Sequence, residues 1–169
     1  MLYYNPNISA KEEFTKRLSE QRRLIDMLNE EARVVLNNEV RTMSTVGDDI
    51  KLIDGRYEPG EFFAVAKGLE NVKEGGERCF RCYELRLREA AVYAKKMGYD
   101  YFSTTLSISP LKNEQKLNEI GRKLSDEYGV DYLYSDFKKK NGYKISIELS
   151  GKYNLYRQNY CGCVYSVRE

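Results

Sequence analysis

The chain has 169 residues, 41% hydrophobic and 32% charged, and this size and composition suit a single domain, residues 1–169, with one core. Its 28 lysines and arginines against 26 aspartates and glutamates give a net charge of +2, which excludes a global basic field for nucleic-acid binding. The first residues lack a secretory signal pattern and no apolar run is long enough to cross a bilayer. We therefore expect a cytoplasmic protein with no membrane partner.

Strands and helices alternate in the predicted structure of the first half of the chain. A short strand at residues 2–4 precedes a helix whose apolar side chains recur at helical spacing. The polar, irregular stretch 37–49 predicts an insertion, after which residues 50–53 form a strand. A short helix follows Pro59.

The same alternation continues in the second half. One helix carries Cys79 and Cys82 on its first turn and ends near Gly98. The further elements are a strand at 101–104, a helix at 113–128, a strand at 131–135 and a helix at 143–152. Such alternation predicts parallel β-α-β units in an α/β sheet with helices on both faces. Because the chain enters its first strand at residue 2, we expect the first strand-loop-helix unit of such a sheet to be missing.

The four cysteines form two close pairs, Cys79 with Cys82 and Cys161 with Cys163, and the chain contains no histidine. Any soft-metal or redox chemistry must therefore use these thiols. The two pairs can act together only if the fold brings them into contact. Gly162, between the cysteines of the second pair, allows both sulfurs to turn to the same side.

Three interpretations of these thiols stay open on spacing alone. They are a four-cysteine zinc site, an iron or iron–sulfur site, and a dithiol that exchanges disulfides or binds no metal. The partial positive charge at the start of a helix, with Arg78 and Arg81 alongside, predicts that Cys79 and Cys82 are thiolates.

The loop after the strand at 101–104 is rich in hydroxyl groups and precedes the start of a helix. Backbone N–H groups, hydroxyls and the helix dipole would together bind an anion such as phosphate. The alternative is that these side chains only cap helices and fill turns. The residues assigned to this candidate substrate site are Ser103, Thr104, Thr105, Ser109, Lys112 and Asn113.

Two polar segments of the second half are further candidate binding sites. A basic run predicts contact with a tRNA backbone, although such a run is also typical of a solvated loop; it consists of Lys138, Lys139 and Lys140. Directly before Cys161, a cation, two amides and an aromatic ring favour a binding site. These substrate-site residues are Arg157, Gln158, Asn159 and Tyr160.

Most of the 15 tyrosines fall on apolar helical faces and are predicted to be core. Tyr4, Tyr156 and Tyr160 instead lie at the edges of motifs, where a ring can stack on a base or a hydroxyl can donate a proton. Tyr160 is the candidate catalytic residue. Tyr4, with Asn5 and Asn7 in the turn that follows it, is assigned to the substrate site.

Five segments in this order closely resemble the QueH type of epoxyqueuosine reductase, and the resemblance runs from Leu2 to Ser166. They are YYNPNI, GGERCFRCYELRL, YFSTTLSISPLKN, SDFKKKNGY and LYRQNYCGCVYS. The resemblance implies a Rossmann-like three-layer α/β domain with a mainly parallel sheet. It also implies an oxidoreductase that reduces epoxyqueuosine to queuosine at the wobble position of tRNA anticodons, the final step of queuosine biosynthesis.

The family uses a 4Fe-4S cluster and an additional iron ion, held largely by cysteines, and an electron donor that the sequence does not identify. By this resemblance, Cys79, Cys82, Cys161 and Cys163 are metal ligands, not divided between cluster and iron. The family also has an N-terminal strand and a cysteine-bearing loop that this sequence lacks, so we expect an N-terminally truncated chain. Four cysteines can saturate one cubane but leave no ligand for a second iron. The alternative is a non-catalytic tRNA-binding module, zinc-stabilised or metal-free.

Overall fold

A computed structural model of the protein describes residues 1–38 and 49–166. Most of the predicted insertion at 37–49 lies outside the described residues, and positions 37 and 38 close the first helix. The strands are β1 (Leu2–Tyr3), β2 (Ile53–Asp54), β3 (Tyr101–Phe102) and β4 (Asp131–Tyr132). The helices are α1 (Lys11–Asn38), α2 (Pro59–Ala66), α3 (Glu77–Met97), α4 (Glu114–Tyr128) and α5 (Gly142–Lys152), with 3₁₀ turns at Thr105–Ile108 and Val164–Ser166.

The predicted α/β class is confirmed, because helices alternate with short strands that pair in parallel. β1 pairs with β2 and β3 pairs with β4, and a helix crosses over within each pair. Within the described residues, the four strands form two separate two-stranded sheets. Each strand is shorter than its sequence pattern predicts, because the chain leaves the ladder early; after β4, for example, Ser135 bonds to the Asn118 side chain instead.

Local caps fix the bounds of α3 and α4 close to the predicted positions. Gly98 ends α3 and Gly129 ends α4, both in the left-handed conformation at φ 71° and 66°. At the start of α4, the Asn113 side chain accepts a hydrogen bond from the backbone N–H of Lys116 at 2.9 Å. These caps place the loop after β3 directly before a helix.

The largest core cluster lies between α3 and α4 and against β3 and β4. Its fully buried members include Leu87, Ala91, Leu117 and Leu124. A separate cluster joins Phe62 and Ala66 of α2 to Cys163, with Cys82 and Cys161 packed against it. The cysteines therefore lie where α2, α3 and the C-terminal segment meet. None of the helices in the described part of the chain is both long enough and apolar enough to cross a membrane.

Candidate metal centre and adjoining cleft

Cys79 and Cys82 lie near the start of α3, as the sequence predicts. The helix begins at Glu77 after two glycines, and the backbone N–H of Gly75 donates a hydrogen bond to Cys79 Sγ at 3.2 Å. Residues three apart on a helix share one face. The helix register alone therefore directs both thiols the same way.

Contacts from the N-terminal region hold Cys161 and Cys163. Gly162 has a φ of 96°, and a Cβ added there would lie 2.4 Å from Ile8 Cγ1. The Asn7 side chain donates a hydrogen bond from Nδ2 to the carbonyl oxygen of Cys161 at 2.7 Å. The turn between the two cysteines thus requires glycine, for both its backbone conformation and its lack of a side chain.

All four cysteines line one small cavity of about 20 Å³, and all four are free thiols. The fold therefore meets the condition for the two pairs to act together, because it places them around the same cavity. The other residues lining this cavity, which we call the thiol cavity, are Asn7, Phe62, Arg78, Tyr83, Arg86, Leu106 and Lys112.

The pKa values of the thiols shift in different directions, and at Cys82 the direction is opposite to the one that the predicted thiolate requires. Burial raises the pKa of Cys82 to about 11, and the charge of Arg86 only partly offsets this. At the other pair, a hydrogen bond from the Cys163 thiol lowers the pKa of Cys161 and raises that of Cys163. The Lys112 ammonium also helps to lower the pKa of Cys161.

The arginines expected to activate the first pair have other partners. The buried Arg78 guanidinium donates to the carbonyl oxygens of Leu69 at 3.0 Å and Glu70 at 2.8 Å, so it supports the turn before α3. Arg81 is exposed and pairs with Glu77 at 2.8 Å. The cations that act on Cys82 and Cys161 are Arg86 and Lys112, and no sequence pattern predicted either of them beside the thiols.

The four thiols of the thiol cavity are soft donors of the kind that iron–sulfur clusters, iron and zinc take as ligands. Three of the residues that line it each have one buried polar atom without a hydrogen-bond partner among the described residues: Asn7 Oδ1, Tyr83 Oη and Arg78 Nε. Burial also raises the pKa of Tyr83 to about 12, so its hydroxyl keeps its proton. In residues 1–38 and 49–166, no three cysteine or carboxylate side chains converge closely enough for a single ion.

A much larger cleft of about 910 Å³ adjoins the thiol cavity, with Arg86, Lys112 and Cys161 lining both. The cleft brings together residues of three predicted binding segments. These are Tyr4, Asn5, Ser103, Thr104, Thr105, Ser109, Lys112, Arg157, Gln158, Asn159 and Tyr160. A site of this volume is in the range of small-molecule and cofactor pockets.

Five of the residues assigned to binding do not line this cleft. Asn7 lines only the thiol cavity, and Asn113 is exposed and caps α4. The lysine run lines neither cavity: Lys138 bonds to the carbonyl oxygen of Lys112 at 3.2 Å and Lys139 pairs with Asp136 at 3.3 Å. Lys140 is exposed next to it. Their contact with a tRNA backbone stays a prediction.

Hydroxyls of the predicted anion site make local structural contacts. Thr104 Oγ1 accepts from the N–H of Leu106 at 3.2 Å, and Ser109 Oγ accepts from the N–H of Leu111 at 3.3 Å. Ser103 donates to the carbonyl of Leu133 at 2.9 Å and so ties the loop after β3 to the segment after β4. The capping role that the sequence left as an alternative is thus present, and anion binding stays a prediction.

Acidic and basic residues of α1, which were not predicted to be part of the site, hold the segment before Cys161. Arg17 pairs with Glu13 at 2.7 Å and donates from Nη2 to the Tyr160 carbonyl at 3.1 Å. Glu20 accepts from the N–H of Tyr156 at 2.9 Å. The one available signal was the spacing of Glu13 and Arg17, four residues apart on a helix.

Tyr4 is buried and Tyr160 half-buried in the cleft wall. The Tyr4 hydroxyl donates to Glu61, and burial, with this contact, raises the pKa of Tyr4. Arg17 lies over the Tyr160 ring at 5.2 Å from its centroid. Tyr160 therefore faces the cleft next to the thiols, whereas the Tyr4 hydroxyl already has a partner.

The structure therefore combines an α/β fold with a small cavity that is lined by four thiols and adjoins a large cleft. The family model described as Epoxyqueuosine reductase QueH matches residues 1–169. The chain belongs to this family.

Curated relatives with the same name align over nearly the whole chain. The protein of Staphylococcus epidermidis is 40% identical over 169 residues, covering 99% of this chain and 65% of the relative. That of Streptococcus pyogenes is 36% identical, covering 98% and 60%, and that of Thermotoga maritima is 34% identical, covering 99% and 78%. The chain thus spans less than two thirds of the first two relatives.

Proposed function

We propose that this protein reduces epoxyqueuosine to queuosine at the wobble position of tRNA anticodons, the final step of queuosine biosynthesis. The observation that carries the proposal is the convergence of all four thiols on one cavity that shares its wall with a cleft of about 910 Å³. A metal group in the cavity and a nucleoside in the cleft would then be in contact. The relatives named epoxyqueuosine reductase support this assignment.

The reaction removes the epoxide oxygen and leaves an alkene, which takes up two electrons and two protons and releases water. When bound, a 4Fe-4S cluster with an additional iron would supply the electrons and a Lewis acid. Cys79, Cys82, Cys161 and Cys163 would supply ligands to these irons, in a division that we leave open; a cluster saturated by all four would leave none of them for the additional iron. Tyr160, which lines the cleft next to Cys161, is our candidate proton donor.

The cleft residues would bind the nucleoside, and the neighbouring surface would bind the rest of the tRNA. Exposed Lys139 and Lys140 are the proposed contacts to its backbone, with Lys138 beside them. An electron donor that we do not identify would reduce the metal centre. A tRNA substrate would place the protein in the cytoplasm.

We also propose that residues 1–169 form a single Rossmann-like domain with three layers. Both strand pairs are parallel and both have a helical crossover, which is the unit of such folds. The cleft is lined by the residues that follow β1 and β3, where ligands bind in open α/β sheets.

The direct test is conversion of an anticodon stem-loop RNA that carries epoxyqueuosine, after anaerobic reconstitution with iron and sulfide and with a chemical electron donor. Nucleoside mass spectrometry would follow the loss of one oxygen atom. We expect queuosine with the wild-type protein and none with Cys82→Ser. Stoichiometric zinc with RNA binding but no conversion would overturn the proposal in favour of a binding module, and a reversible disulfide without metal would favour a dithiol protein.

A further inference from the structure

The four arginines of α3 differ in whether the guanidinium has an ion-pair or hydrogen-bond partner in the protein. Arg78 donates to backbone carbonyls, Arg81 pairs with Glu77, and Arg88 pairs with Glu84 at 2.9 Å. Arg86, the fourth, forms no ion pair with any residue in the described ranges 1–38 and 49–166. It is half-buried, so part of its side chain is removed from water without a carboxylate partner to offset the charge.

Helix register places Arg86 beside the thiols. It follows Cys82 by four residues and Cys79 by seven, so all three lie on one face of α3. Its side chain lines both the thiol cavity and the large cleft, and its charge acts on the Cys82 thiol. Arg86 therefore lies at the junction between the thiol cavity and the large cleft.

Two other cations of the cleft wall already have carboxylate partners. Arg17 pairs with Glu13 at 2.7 Å, and Lys112 pairs with Glu74 at 2.9 Å. Arg157 also lines the cleft, but it is exposed to solvent, where a charge needs no partner. Arg86 is thus the half-buried cation left to meet a ligand at the junction.

We infer that Arg86 is a catalytic residue that donates a hydrogen bond to the epoxide oxygen and stabilises the negative charge on it as its bonds to carbon break. This inference rests on the proposed function. Two electrons from the redox centre and two protons convert the epoxide to the alkene and water. Arg86 does not supply the protons, because a guanidinium does not deprotonate in proteins. It has no redox chemistry of its own, so it does not supply the electrons either. Fixed donors at a developing oxyanion are among the strongest catalytic devices of enzymes.

Binding without turnover provides the first test. Under anaerobic conditions and with no electron donor, the affinity of the reconstituted protein is measured for two stem-loop RNAs, one with epoxyqueuosine and one with queuosine. Only the first offers the oxygen, so we expect the wild type to prefer it by about tenfold, the effect of one charge-assisted hydrogen bond. Arg86→Gln should bind both RNAs equally.

Arg122→Gln is the matched control, because Arg122 is exposed on α4 and lines neither cavity. It should keep the wild-type preference. Equal affinity of the wild type for the two RNAs, or an unchanged preference in Arg86→Gln, would overturn the inference and leave the proposed function standing. Failure of the wild type to bind either RNA would overturn both the inference and the proposed function.

Chemical rescue provides the second test and separates catalysis from structure. We expect Arg86→Ala to lower kcat by about a hundredfold with a smaller change in KM. Added guanidinium should restore part of kcat, whereas urea, which has the same shape and no charge, should not. Absence of rescue together with an unchanged kcat would overturn the inference.

Discussion

Cys79 and Cys82 owe their position to the start of a helix, whereas Cys161 and Cys163 owe theirs to residues far away in the chain. The first pair shares a face of α3 because three residues separate its members. The second pair depends on Asn7, Ile8 and the α1 side chains. The difference shows that one half of the thiol cavity follows from local sequence and the other half from tertiary packing.

This comparison predicts the largest effect at Gly162. In Gly162→Ala the new Cβ would meet Ile8 at 2.4 Å in a backbone with φ 96°, so we expect a loss of about 3 kcal/mol in the free energy of unfolding. Chemical denaturation measures this loss. Bound iron should fall with it, because the clash displaces the second pair.

Gly68→Ala is the control for that substitution. Gly68 has a similar φ of 79°, but a Cβ there would meet nothing within 4 Å. We expect only backbone strain, about 1 kcal/mol, and full iron content. Equal effects of the two substitutions would show that the contact with Ile8 does not hold the second pair.

Arg17→Gln should have the next largest effect. The substitution removes the hydrogen bond to the Tyr160 carbonyl and leaves the largely buried Glu13 carboxylate without its cation. We expect a loss of about 2 kcal/mol in stability, together with faster loss of iron to a chelator. Arg22→Gln, on the same helix, breaks only an exposed pair with Asp54 and should change neither. Equal chelation rates for wild type and Arg17→Gln would contradict the role of α1.

Arg81→Gln should have the smallest effect. Arg81 lies between the cysteines of the first pair in sequence, but its side chain is exposed and pairs with Glu77. We expect a stability change under about 0.5 kcal/mol and unchanged iron content. A large loss of iron would restore the sequence-based hypothesis that this arginine activates the neighbouring thiols.

Features of the fold that depend on local sequence were predictable. Asn113, Gly98 and Gly129 mark helix ends by caps that act within a few residues, so the bounds of α3 and α4 follow closely from the sequence. The predicted bounds of the strands were less accurate, because a strand ends where its hydrogen-bonded partner strand ends. The apolar residues Leu133 and Tyr134, for example, extend the pattern of β4 and are exposed.

The contacts that assemble the site could not be predicted in the same way. Arg17 and Tyr160 are 143 residues apart, and Asn7 and Cys161 are 154 apart. No local pattern in a sequence records which distant carbonyl a side chain will meet. Arg86 was missed for a related reason: its significance lies in the absence of a carboxylate partner among the described residues, which only the packed fold reveals.

The most direct test of whether the two pairs form one centre is to measure iron and acid-labile sulfide per chain after anaerobic reconstitution. The measurement compares the wild type with Cys82→Ser and Cys163→Ser. Each variant removes one thiol from one pair. We expect both to lose most of the iron and sulfide that the wild type binds, and to lose the same visible absorption. Full iron and sulfide content in either variant would contradict a single centre built from both pairs.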